Sequence, residues 1–198
     1  AKAKGEAQEI NKKELAYNLE NLAELMISAG KLRESASVLR EGIDLSSEQG
    51  YSRHLVALRI HTATVQKRMG RYGEASLSLT AAKRGLDEID DKPLVAAWKI
   101  QQAGLHLHLG RPLDGLELVR SARHEAEEAK DTAGRLNSLL LINRLSENAE
   151  DFEEAIRLIE DQHLSRERLI LEFGRLEFFI ENGRSHDASR LARRLLAD

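Results

Sequence analysis

The chain has 198 residues, with 30 Lys and Arg against 33 Asp and Glu and a net charge of −3. That balance lacks the basic field with which proteins hold duplex nucleic acid, and 4% aromatic residues leave little for base-stacking platforms. There is no cysteine, which excludes disulfides and thiolate chemistry and fits a cytoplasmic location; no apolar run approaches the roughly 18 residues of a membrane span.

Two prolines and abundant Leu, Ala, Glu and Arg predict helix throughout. In the first unit, 11–50, Asn11-Lys12-Lys13-Glu14 reads as a capping box opening a helix that runs to about Ser28. Leu15, Leu19, Leu22, Leu25 and Met26 recur at helical spacing and are expected on its buried face. Gly30 stands where that helix must stop, and a second helix follows over about 33–47. Unit two, 51–90, opens at Ser52 as N-cap, with helices over 52–69 and 73–89. Unit three, 91–130, opens at Asp91-Lys92-Pro93, an N-cap followed by proline in the first turn; its helices end near Leu109 and Lys130. Asp131 begins unit four, 131–163, whose second helix covers 152–161. Ser165 caps the last unit, 164–198, with helices to Glu181 and from Ser185 onward. The chain starts at Ala1 without methionine and ends inside a helical pattern at Asp198, which predicts a single domain cut from a larger protein.

The turns repeat. Gly30-Lys31-Leu32, Gly70-Arg71-Tyr72 and Gly110-Arg111-Pro112 are spaced by 40 residues (70 − 30 and 110 − 70), Glu150-Asp151-Phe152 falls on the same period, and Gly183-Arg184-Ser185 follows 33 later. A fixed period of this size means stacked copies of one helical hairpin. Five residues after each turn start stands a small side chain: Ser35, Ala75, Gly115, Ala155, Ala188. Seven before the turn stand Ala23, Ala63 and Ala103, then Asn143 and Leu176.

Gly70-Arg71-Tyr72-Gly73-Glu74-Ala75 and Asp151-Phe152-Glu153-Glu154-Ala155 carry a pattern that resembles the tetratricopeptide repeat, TPR. The resemblance covers nearly the whole chain and implies an all-α, right-handed α-α superhelix of about five helix-turn-helix units. The usual repeat is about 34 residues. The 40-residue form, with Ala97-Trp98-Lys99-Ile100-Gln101-Gln102, resembles the sensor domain of the maltose-regulon transcriptional activator and related bacterial signal-transduction ATPases; similar lengths occur in kinesin light chains and spindle-orientation adaptors. The resemblance implies a non-enzymatic protein- or peptide-binding scaffold. The alternative is a ligand-sensing regulatory domain of a transcription regulator or signalling ATPase, with a small-molecule effector. The clamp by which some TPR proteins grip chaperone tails is missing, since its lysine and asparagine positions fall on Glu20 and Glu24.

The first helices of such repeats line the concave wall. On a wheel of about 100° per residue, Leu55, Leu58, Val65 and Met69 form one apolar stripe and Val56, Ile60 and Ala63 a second, as a helix with neighbours on two sides requires. Ala57, His61, Thr64 and Arg68 lie between them, matched by Ala97, Gln101, Gly104 and His108, then Asn137, Leu141, Arg144 and Asn148. His61, Thr64, Arg68, Gln101, His108, Arg144 and Asn148 are therefore the groove candidates. A second polar stripe, Arg59, Thr62 and Gln66 with Lys99, Gln102 and His106, lies opposite, where bulky core residues are usual. Rotated helices or solvent access explain it best, because an unpaired buried Arg59 or Lys99 would cost several kcal/mol.

No His-Glu-x-x-His, phosphate-binding glycine loop or Gly-x-Ser-x-Gly elbow is present, so no metal, cofactor or catalytic residue is expected. Glu153-Glu154 and Glu127-Glu128 read as helix-surface charge, as do the acidic run 147–161 and the basic Arg184, Arg190, Arg193 and Arg194. The expected partner is a protein or peptide segment, without direct nucleic-acid contact or a membrane span.

Overall fold

The computed structural model describes residues 2–196, with side-chain surroundings from residue 10. They form ten helices: α1 (Lys2–Ser28), α2 (Leu32–Gln49), α3 (Ser52–Arg68), α4 (Tyr72–Leu86), α5 (Lys92–His108), α6 (Pro112–Glu128), α7 (Thr132–Leu145), α8 (Ala149–Asp161), α9 (Ser165–Glu181) and α10 (Ser185–Leu195). There are no strands among the described residues.

Consecutive helices pair as antiparallel hairpins, and the hairpins stack. The odd-numbered helices form a continuous inner layer, with α1 on α3, α3 on α5, α5 on α7 and α7 on α9. Each of α2, α4, α6 and α8 packs against the odd helix on either side, and the backbones of these even helices stay apart, with side chains such as Arg123 of α6 reaching across to Asp151 and Glu154 of α8. A layer whose members meet, backed by one whose members splay apart, must curve toward the first. The result is a right-handed α-α superhelix with the odd helices on its concave wall.

Repeated backbone geometry builds the hairpins. Gly30, Gly70, Gly110 and Gly183 hold φ of +75°, +75°, +71° and +70°. The following amide donates back to the helix it leaves, as in Arg71 N to Gln66 O at 2.8 Å and Arg184 N to Phe179 O at 2.8 Å. This is a Schellman-type end, which favours glycine because no Cβ opposes positive φ. Between hairpins the same bond recurs from Tyr51 to Ser46, Asp131 to Ala126 and Leu164 to Ile159. Gly50, Lys130 and His163 take the positive φ there.

Close approach follows from small residues. Ser35, Ala75 and Ala155 are fully buried, as are Ala23 and Ala103. A Cβ on Gly115 would stand 2.9 Å from the Ala103 carbonyl oxygen, so α6 crosses α5 at backbone distance. The two expected stripes of α3 face opposite neighbours. Val56 and Ile60 meet Ala82, Leu86 and Leu94 of the following helices; Leu58 and Val65 meet Ala23, Ile27 and Leu39 of the preceding ones.

Several expectations are corrected. Asn11 is not an N-cap: it lies inside α1, because the residues before it are good helix formers and the lone Gly5 does not stop them. Ser52 and Ser165 are first helical residues after Tyr51 and Leu164, with no side-chain cap. Asp91 and Asp131 do cap, accepting from the Leu94 and Gly134 amides at 3.0 Å. Leu15, Leu22 and Leu25 are 46%, 41% and 68% exposed, not buried; Ala16, Leu19, Ala23 and Ile27 carry the core. The leucines occupy the face that an interior hairpin turns toward its predecessor, and α1 is the first helix of the stack.

Candidate functional site: the inner wall

The second polar stripe does not reach this wall. It forms a seam inside each hairpin, against rotated helices or free solvation. Arg59 donates to the Ala81 carbonyl at 3.2 Å, and Gln66 accepts from Ser78 at 2.8 Å. Lys99 donates to both Ser121 and Glu125 at 2.9 Å. Each half-buried polar group finds a partner on its own hairpin, which offsets its desolvation. Glu154 is likewise not surface charge. It and Asp151 are buried at 9% and 5% exposure and ion-paired with Arg123, while Arg135 reaches Glu154 at 2.5 Å.

The groove candidates lie on the odd helices, except Asn148, which helical spacing groups with α7 but which follows its end at Leu145. Arg68, at the end of α3, donates to the Ile27 carbonyl at 2.7 Å. His61 is half-buried and lowered in pKa by burial, against the pull of Glu24 and Glu20. Thr64 bonds back to Ile60 at 3.1 Å. His108 stacks on Tyr72 with ring centres 5.1 Å apart; burial first, then Lys67 and Arg144, lower its pKa. Arg144 pairs with Glu177 of α9 at 2.6 Å. Asn148 caps α8, accepting from the Glu150 amide at 2.9 Å, which accounts for it without a ligand.

Two residues absent from the sequence-derived set complete the wall. The Lys67 ammonium donates to the Gln101 side-chain oxygen at 2.9 Å. It lies over Gly104, where a Cβ would stand 2.5 Å from Nζ. Gly104 thus makes room for Lys67, and Gln101 holds it. Burial, then Arg68 and Arg144, pull the Lys67 amine down to about 8. Arg166, near the start of α9, comes 3.4 Å from the Ser28 carbonyl of α1, so the wall curls until a side chain of its fifth helix reaches the end of its first. Burial and Arg166 both lower the pKa of Arg68. The carbonyls of Ile27 and Ser28 belong to the last turn of α1, the negative end of its dipole, where cations are favoured. Spacing on one helix wheel cannot reveal such a meeting of distant hairpins.

Two clefts of about 260 and 340 Å³ lie away from this corner, one between α2, α3 and α4 and one among α8, α9 and α10. No cluster of three or more His, Cys, Asp or Glu residues suited to a metal ion occurs among the described residues, and no described helix is long and apolar enough to cross a membrane.

No protein-family model and no curated protein matches the chain. Two solved structures of a Podosopora anserina protein do, described as a kinesin light chain with nearly identical TPR-like repeats. One has 16% identity and a TM-score of 0.58, covering 91% of this chain and 93% of that one. The other, a point variant of the same protein, has 17% identity and a TM-score of 0.59, covering 91% and 92%. At these identities the likeness shows the fold: a TPR-like repeat solenoid.

Proposed function

We propose that the chain is a non-enzymatic scaffold that binds a protein or peptide segment along its inner wall. The observation that supports this most is the row of polar side chains, His61, Gln101, His108 and Arg144, offered by three successive inner helices on one continuous surface. A wall of this kind suits an extended segment, which can bond to several hairpins at once. The lack of cysteine fits work in the cytoplasm.

The test is affinity selection from a displayed peptide library on the wild type and on Arg68→Glu/Arg144→Glu. The wild type is expected to enrich a peptide family that the variant loses, while far-UV circular dichroism shows both folded. Peptides retained equally by both proteins would remove the inner wall from the reading.

A ligand-sensing domain of a regulator, like that of the maltose-regulon activator, is a second reading. The Arg166 contact with Ser28 favours it: a ligand that displaced α9 would release the first hairpin and alter the curl. Small-angle scattering with and without a stabilising small molecule separates the readings, since a scaffold keeps its radius of gyration.

A further inference from the structure

The hairpin seams neutralise most of their charge, Arg59 with its bond to the Ala81 carbonyl being the exception. Lys99, Arg123 and Arg135 each meet a carboxylate of a neighbouring helix. The end of α3 does not, where Arg68 faces α1 and Arg166 of α9 on one side and Lys67 faces α5 on the other. Lys67, Arg68 and Arg166 bond there only to neutral oxygens, those of Gln101, Ile27 and Ser28. These cations also repel one another: Arg166 acts on Arg68, and Arg68 and Arg144 act on Lys67. Arg144 has Glu177 as its counter-charge, but Lys67, Arg68 and Arg166 have no carboxylate partner among the described residues; like charges so held raise the free energy of the empty wall, and a bound anion recovers it.

We propose that this corner seats a carboxylate of an acidic polypeptide segment, held among Lys67, Arg68 and Arg166. The proposal rests on the scaffold reading and gives its partner a chemistry. Donor capacity remains for such a ligand: an ammonium has three hydrogens and a guanidinium five, and the bonds above use only part of them. Bonds from these cations to a carboxylate are short and add the attraction of opposite charges, which the present neutral acceptors do not supply. A peptide suits the corner better than a free anion, because the cations sit on an open wall outside both clefts. An extended chain could continue from there past Gln101 and His108.

The test titrates the whole 198-residue chain with a fluorescent Glu-Ser repeat peptide, a Lys-Ser repeat, a neutral Gly-Ser repeat and inorganic phosphate. The acidic peptide is expected to bind, more weakly as salt rises, and to lose about tenfold or more in affinity in Lys67→Gln/Arg166→Gln. Arg33→Gln on the outer helix α2 keeps binding. At pH 8, wild-type binding should take up protons as the carboxylate restores charge to Lys67. The groups facing that amine, Arg68, Gln101, His108 and Arg144, add none that Lys67→Gln retains.

Equal affinity in the double variant, or no proton uptake, overturns the proposal. So does full displacement of the peptide by phosphate, which would mark a free-anion site. A groove-dependent preference for the neutral or basic peptide overturns it too but leaves the scaffold standing. Binding of no peptide at all counts against both.

Discussion

At Gly70 the chain needs a φ of +75°, and nothing lies within 4 Å of where a Cβ would point. The objection to a side chain is therefore backbone strain alone. Gly70→Val should cost roughly 1–2 kcal/mol, seen as a lower midpoint in thermal melts. The converse holds at His163, a non-glycine residue at φ +55°. His163→Gly should stabilise by about 0.5–1 kcal/mol, less than the strain relieved because glycine also loosens the unfolded chain. Shifts of the same sign in both variants would refute the turn geometry. The turns within hairpins were legible because glycine marks Gly30, Gly70, Gly110 and Gly183. Between hairpins Gly50 carries the same mark, but Lys130 and His163 carry no glycine signal, and stacking enforces their conformation. Ser52 and Ser165 misled for a related reason, since the preceding Schellman bond places Tyr51 and Leu164 at the cap.

Each inner helix in mid-stack must bury two stripes, and this determines which leucines matter. Leu58 is fully buried against the first hairpin, whereas Leu25 is 68% exposed on the outer side of α1. Leu58→Ala should cost about 2–5 kcal/mol, and Leu25→Ala should stay within about 0.5 kcal/mol. Denaturant unfolding of both measures the difference, and comparable losses would mean that α1 buries the stripe read from the sequence. Helical periodicity gives the spacing of an apolar stripe but not which side has a neighbour, so the stripes of α3 match its two neighbours while the leucine stripe of α1 faces none. The acidic residues of α8 show the same limit. Adjacent Glu153 and Glu154 look alike in sequence, yet Glu154 turns into the seam toward Arg123 and Arg135. Arg123→Ala, which leaves Asp151 and Glu154 short of a buried partner, should destabilise by about 3–5 kcal/mol in the same measurement. A loss below about 1 kcal/mol would place that pair in solvent.

The curl of the whole stack assembles the cationic corner, since Lys67 and Arg166 are far apart in sequence and belong to different repeats. Spacing alone puts His61, Arg68, Gln101, His108 and Arg144 on one face of the inner helices; the approach of Arg166 to Arg68 needs the superhelix. Lys67 also couples the site to stability. Its amine is pulled down to about 8 in the folded protein from 10.5. Between those values the unfolded chain binds more protons than the folded one, so stability rises with pH; below about 8 the buried ammonium imposes its full penalty. Lys67→Met keeps the side-chain volume and removes the charge. It should therefore melt higher than wild type at pH 7, by about 1–3 kcal/mol in stability, and the gap should close as pH approaches 10. The same variant should bind the acidic peptide poorly. A site that destabilises its own fold and relinquishes that energy only to a partner shows this opposition of stability and affinity. If Lys67→Met instead lost stability at pH 7, or its gap from wild type held constant to pH 10, the ammonium would be a structural tie to Gln101.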